Sequence, residues 1–187
     1  GDSQKMKEFL KKAEQTTSGA SIAIGLTQAE LQIRSGHLEQ SLAILTRVRR
    51  NADKHPYVLY LLKKVYADLK DWKEVLTLLP DLKKYAVIPA EELESLELQA
   101  CKESMINLAK VSGDISSNDA SIKLQKLWKS FSKSVRTNSN VVVCYVQNLI
   151  DLNDMFLAEK IIRLQLTRDW NKKLVTLYGK VVGEDIS

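Results

Sequence analysis

Glycine and proline are scarce in this chain: seven glycines and three prolines interrupt 187 residues. Alternation of apolar and polar residues with a period of two is scarce as well, which leaves little from which to build a sheet. The composition therefore predicts an all-α fold. Two cysteines, Cys101 and Cys144, are too few for a disulfide framework and are not spaced as C-x-x-C. Each sits in an apolar helical pattern and reads as a small buried hydrophobe, in the reduced state. The two histidines, His37 and His55, have no Cys or His at ligand spacing, so metal binding and proton transfer have few residues to use. No two glycines are separated by a single residue, which removes the G-x-G-x-x-G fingerprint; a P-loop and a G-x-S-x-G elbow are also missing. The expectation is a non-catalytic protein with no cofactor and no metal.

Long hydrophobic runs are missing too. The longest uncharged stretches, Thr16 to Ala29 and Thr137 to Ile150, are rich in Thr, Ser, Asn and Gln and fall short of the ~20 apolar residues a membrane helix needs. Gly1 reads as the start of an excised fragment, before which an anchoring segment could lie. The formal charge is +5, but cations are dispersed among acids, as in Lys70, Asp71, Lys73 and Glu74. Arg47, Arg49 and Arg50, Lys63 and Lys64, and Lys83 and Lys84 form short clusters only. A nucleic-acid binder concentrates its cations on one face and often interleaves aromatics; these clusters read instead as solvated helix faces, and no nucleic-acid partner is expected.

What the sequence does have is a repeat. An offset of 34 residues lays Gly36, Leu38, Ser41, Leu42 and Leu45 over Lys70, Trp72, Val75, Leu76 and Leu79, which is the tetratricopeptide period. Each copy reads as two antiparallel helices, Ser21 to Ser35 with Leu38 to Asn51, then Tyr57 to Leu69 with Trp72 to Lys84. Pro56 and Pro89 fall at the breaks, where a proline can open a helix. A small residue followed four positions later by a large one lets paired helices approach; it occurs as Ser41 with Leu45, Val75 with Leu79 and Ala158 with Ile162. The first-helix pattern of two large apolars and an aromatic is Leu59, Leu62 and Tyr66 in the second copy. The first copy departs from it with Gly25, Gln28 and Gln32, as suits a terminal unit.

Residues 140–166 form a third clear unit, with Asn153 and Asp154 as its turn and Met155, Ala158, Ile161 and Ile162 as its buried stripe. Between it and the second copy lie two longer amphipathic stretches, Ala90 to Val111 and Ala120 to Val135, the latter carrying Ile122, Leu124, Leu127, Trp128 and Phe131. "SGDISSND" joins them, with Asp119 as the expected N-cap. Trp72, Trp128 and Trp170 read as core anchors. The predicted architecture is one helical-repeat domain over 1–187: units at about 21–55, 56–88, 89–136 (degenerate) and 139–167, and a capping helix at 171–182 with Leu174, Leu177 and Tyr178. Tetratricopeptide-like pairs of this kind stack into a right-handed superhelix.

The order of these features is distinctive. His55 and Pro56 open a helix, Trp72 follows the turn, a long linking helix carries "LELQAC", Leu127 precedes Trp128, and an arginine, a tryptophan and "YG" close the array. From about Ile24 to Gly179 the chain resembles the tetratricopeptide portion of the proteobacterial HemY family. The resemblance implies attachment to the bacterial inner membrane through two hydrophobic helices preceding this fragment, and a role connected with a late step of protoheme synthesis. The family shares its name with an unrelated flavin-dependent protoporphyrinogen oxidase, whose dinucleotide fingerprint is not found in this sequence. Too few cysteines for disulfides favour the cytoplasmic side.

Three functions are open at this point, the third being a regulatory subunit with indirect catalytic influence. In the first, a partner protein or extended peptide, such as a porphyrin-pathway enzyme, docks on the concave first-helix face. Residues turned away from the Leu59, Leu62, Tyr66 stripe are Tyr57, Tyr60 and Lys64; the corresponding residues of the third unit are Asn140, Val143 and Gln147. In the second, the domain binds or hands on haem or another tetrapyrrole, with His37 or His55 as the ligand.

Overall fold

The computed structural model describes residues 19–111 and 116–183, and among these it holds ten helices and no strand. α1 covers residues 19–34, α2 Leu38–Asn51, α3 Pro56–Asp68, α4 Trp72–Lys84 and α5 Ala90–Val111. α6 covers Ser117–Ser130, α7 Lys133–Thr137, α8 Ser139–Asp151, α9 Met155–Leu166 and α10 Lys172–Gly183. The chain divides into two compact units, with the boundary between Leu93 and Glu94 inside α5.

One turn recurs three times. Gly36, Lys70 and Asn153 adopt left-handed backbone, with φ of 77, 58 and 60°. Each is followed by an N-cap, His37, Asp71 or Asp154, with closely matching φ and ψ of −88/68, −82/70 and −92/66°. The cap N–H in each case reaches five residues back, to the carbonyl of Gln32, Tyr66 or Leu149, at 2.9 Å. This is the hydrogen-bond pattern that closes a helix on a left-handed residue. Glycine adopts that conformation freely, while Lys70 and Asn153 carry its strain. The 34-residue offset thus aligns two copies of one backbone turn, and the third copy recurs outside that register.

In the first unit, α1 and α2 meet at small residues. Ala29 and Ser41 are both fully buried, and Ser41 Oγ donates to the Ala29 carbonyl at 3.1 Å. Gly25 lies so close to α2 that an added Cβ would stand 2.5 Å from Val48 Cγ2. The departure of the first copy at Gly25 therefore has a steric cause. The core continues through Leu45, Leu59, Leu62, Val65, Val75, Leu78 and Leu82, while Tyr66 and Leu79 are half-buried. Arg49 on α2 and Asp81 on α4 pair at 2.9 Å across the second helices.

In the second unit, Ala100, Cys101 and Met105 bury one side of α5. The long helix expected over Ala120 to Val135 is instead two helices. Phe131 is extended, at φ −71° and ψ 151°, and Ser132 Oγ accepts the Val135 N–H at 3.3 Å to start α7. The N-cap of α6 is Ser116 rather than Asp119: its hydroxyl accepts the Asp119 N–H at 3.2 Å, which places Asp119 in the first turn. Residues 112–115 of the expected loop lie outside the described residues. Ile122 is 42% exposed, so it does not belong to the buried stripe. Trp170 is 74% exposed and anchors no core. Trp128 is half-buried and stacks on Tyr145, with ring centroids 4.2 Å apart. Val142, Tyr145, Val146 and Leu149 of α8 pack with Ala158 and Ile162 of α9 and Leu174, Leu177 and Val181 of α10.

Candidate functional site

In the first unit the exposed face of α3 is organised by its neighbours. Pro56 opens the helix, and His55 caps it by accepting the Tyr57 N–H on Nδ1 at 3.2 Å. One helical turn then brings Tyr57 beside Tyr60, whose rings stack 6.0 Å apart at 8°. Tyr57 Oη donates to Glu30 Oε1 of α1 at 2.6 Å. That hydrogen bond raises the Tyr57 pKa from its ordinary value, because ionisation would set a phenolate against a carboxylate; burial adds to the effect. On the other side, Lys63 Nζ lies 4.9 Å from the centre of the Tyr60 ring and pairs with Glu92 Oε1 of α5 at 2.6 Å. Lys64 is exposed and forms no ion pair among the described residues.

The first helices α1 and α3 and the start of α5 are therefore linked in a row through Glu30, Tyr57, Tyr60, Lys63 and Glu92. Tyr57 remains 41% and Tyr60 38% exposed. Glu30 and Glu92 were not singled out from sequence, and Lys63 only as part of a short cationic cluster. A signal for Lys63 was present in its position three residues after Tyr60, which puts the two on one helix face; Glu30 and Glu92 are distant in sequence and had none.

In the second unit Asn140, Val143 and Gln147 come together on α8. They line a cleft of about 460 Å³ with Ile106, Ala109 and Lys110 of α5. Its floor includes Cys144, whose pKa is raised by burial, and Asn148, which is 4% exposed. Asn148 Nδ2 donates to the Cys144 carbonyl at 2.7 Å, and at the rim Gln147 Nε2 donates to Asp151 Oδ1 at 2.8 Å. The cleft thus combines apolar walls with amide side chains, of which Asn148 and Gln147 are already bonded within α8.

His37 and His55 do not line the cleft of α5 and α8, and His55 meets the α3 face only as the cap of that helix. His37 stands at the N-cap of α2 without capping it, and its Nδ1 meets Gln32 Oε1 at 3.0 Å. Among the described residues no group of three or more His, Cys, Asp or Glu side chains is placed to hold a metal ion. No helix among them is long and apolar enough to cross a membrane. Cys101 and Cys144 are free, and burial pushes the Cys101 thiol up to about 12.

Among the described residues the fold is all-helical, and one backbone turn recurs between consecutive helices. No family model matches the chain. The chain is similar to Protein HemY of Escherichia coli K12, with 23% identity over 175 residues, covering 94% of this chain and 42% of that protein. Protein HemY of Shigella flexneri matches to the same extent. These similarities support a relation to the HemY proteins; the chain spans about two fifths of the length of those curated relatives.

Proposed function

We propose that this chain is a non-catalytic protein-interaction module of tetratricopeptide type whose first-helix surfaces receive an extended segment of a partner protein. The observation that carries this reading is the stacked Tyr57–Tyr60 pair, left exposed yet fixed in place by Glu30 and Lys63. Aromatic rings held rigid before binding lose little entropy when a partner covers them. The amide-lined cleft of α5 and α8 is a second contact of the same kind. The likeness to Protein HemY, together with the family resemblance of the sequence, supports a link to haem or porphyrin biosynthesis. On that reading the partners are enzymes of that pathway, and the full-length protein is tethered to the bacterial inner membrane by a segment outside this chain.

The test is crosslinking and partner identification from membranes carrying the full-length protein. Tyr57→Ala with Tyr60→Ala and Lys64→Glu, or Asn140→Ala with Gln147→Ala, is expected to remove a specific partner. An unchanged partner set would remove the assignment of these faces. Tetrapyrrole binding through His55 has less support, since its Nδ1 accepts the Tyr57 N–H and a neutral ring then carries its proton on Nε2; neither His37 nor His55 lines the cleft of α5 and α8. Titrating haem into the chain is expected to give no Soret shift that depends on either histidine.

A further inference from the structure

Val142 and Val143 are neighbours on α8, yet only Val143 lines the amide-bearing cleft. Val142 belongs to a separate cleft of about 320 Å³ bounded by α6, α7 and α9. Its chemistry is different. Three cations line it, Lys133 and Arg136 on α7 and Arg168 just beyond α9, and no Asp or Glu does. All three are exposed, and none has an ion-pair partner among the described residues. Four cations elsewhere among the described residues are matched: Arg163 on the same α9 pairs with Glu159, Arg49 with Asp81, Lys63 with Glu92 and Arg34 with Glu30. Three unmatched like charges around one concavity repel one another and focus a positive potential into it.

The walls are apolar. Val142 is 1% exposed, and Ile161 and Leu164 of α9 rise from it to a lip, where Leu164 is 52% exposed. Trp128 forms another wall and is held by stacking on Tyr145 and by an edge contact with Phe131, at 4.2 and 6.2 Å between ring centres. The volume lies near the lower end of ligand-sized cavities, about 300 Å³, which suits one bulky side chain. We propose that this cleft binds an acidic peptide segment, with one apolar side chain seated between Val142, Ile161, Leu164 and Trp128, and flanking carboxylates held by Lys133, Arg136 and Arg168. Inorganic phosphate would leave the apolar walls unused, and a lipid surface would not reach the recessed Val142. The site shares no residue with the first-helix surfaces and does not depend on them.

The test is fluorescence anisotropy of a labelled peptide carrying one Leu or Phe between Asp and Glu residues, titrated with this chain. Its counterpart, with each acid replaced by Asn or Gln, is expected to bind about tenfold more weakly or worse, as is the acidic peptide at high salt. Arg136→Glu with Arg168→Glu, and separately Leu164→Asp, are expected to abolish binding with an unchanged circular dichroism spectrum. Lys126→Glu, on the exposed side of α6 and outside the cleft, is expected to leave it intact. Equal affinity for the neutral peptide, or binding that survives both cleft variants, would overturn the proposal. So would the absence of any peptide binding, including the case in which the chain binds phosphatidylglycerol vesicles or inorganic phosphate instead.

Discussion

A single missing methyl group sets how closely α1 and α2 approach. Val48 fills the space above Gly25, and a β-branched side chain has few rotamers by which to withdraw. Gly25→Ala would gain up to ~1 kcal/mol of helix propensity but meets an overpacking cost of ~1–3 kcal/mol. The expected result in urea unfolding is net destabilisation, relieved when Val48→Ala is combined with it. Tyr57 gives a second prediction at this scale. Its pKa is raised, chiefly by the hydrogen bond to Glu30, so folding favours the protonated phenol. That contribution is complete below the ordinary pKa of 10.0 and is lost as pH climbs through the raised value. Glu30→Gln should return the Tyr57 titration towards 10.0, as followed by NMR of the labelled ring carbons. Gly25 and Gln28 were legible only as departures from a pattern, because the reason for the glycine is a side chain on another helix.

At the scale of elements, equivalent caps differ in what else they hold. Asp71 Oδ1 accepts the Glu74 N–H at 3.4 Å and opens α4. Asp154 Oδ1 accepts the Leu157 N–H at 3.2 Å and opens α9, while its other oxygen accepts from the buried hydroxyl of Ser121 on α6. Asp71→Ala is expected to cost ~1 kcal/mol as a lost cap. Asp154→Ala should cost ~1–3 kcal/mol more, because it also orphans a buried donor; paired thermal unfolding curves check the difference. Helix ends such as Leu38–Asn51, Trp72–Lys84 and Ala90–Val111 were legible because turn residues punctuate an unbroken apolar period. The break at Phe131 was not, since Leu124, Leu127, Trp128, Phe131 and Val135 keep helical spacing across it. Its local sign was Ser132 three residues before Val135, a capping geometry that hydrophobic spacing does not register.

For the whole molecule, each compact unit has its own apolar interior. Leu62, 1% exposed among Leu45, Leu59, Val75 and Leu82 in the first, is the position where loss should spread furthest. Leu62→Ala is expected to cost ~2–5 kcal/mol, and hydrogen exchange should show amides of α2, α3 and α4 losing protection together. Protection lost in α3 alone would show that this interior does not open as one unit.

By itself the sequence determined that the described residues are helical and where most of their helices begin and end. Those are consequences of local period, caps and turns, which act over a few residues. Only the tertiary structure decided that Tyr57 and Tyr60 are fixed by Glu30 and Lys63, that Trp170 stands exposed, and that Lys133, Arg136 and Arg168 surround one apolar cleft. In each case the outcome rests on groups from separate helices meeting in space, and the order of residues along the chain does not encode those distances directly.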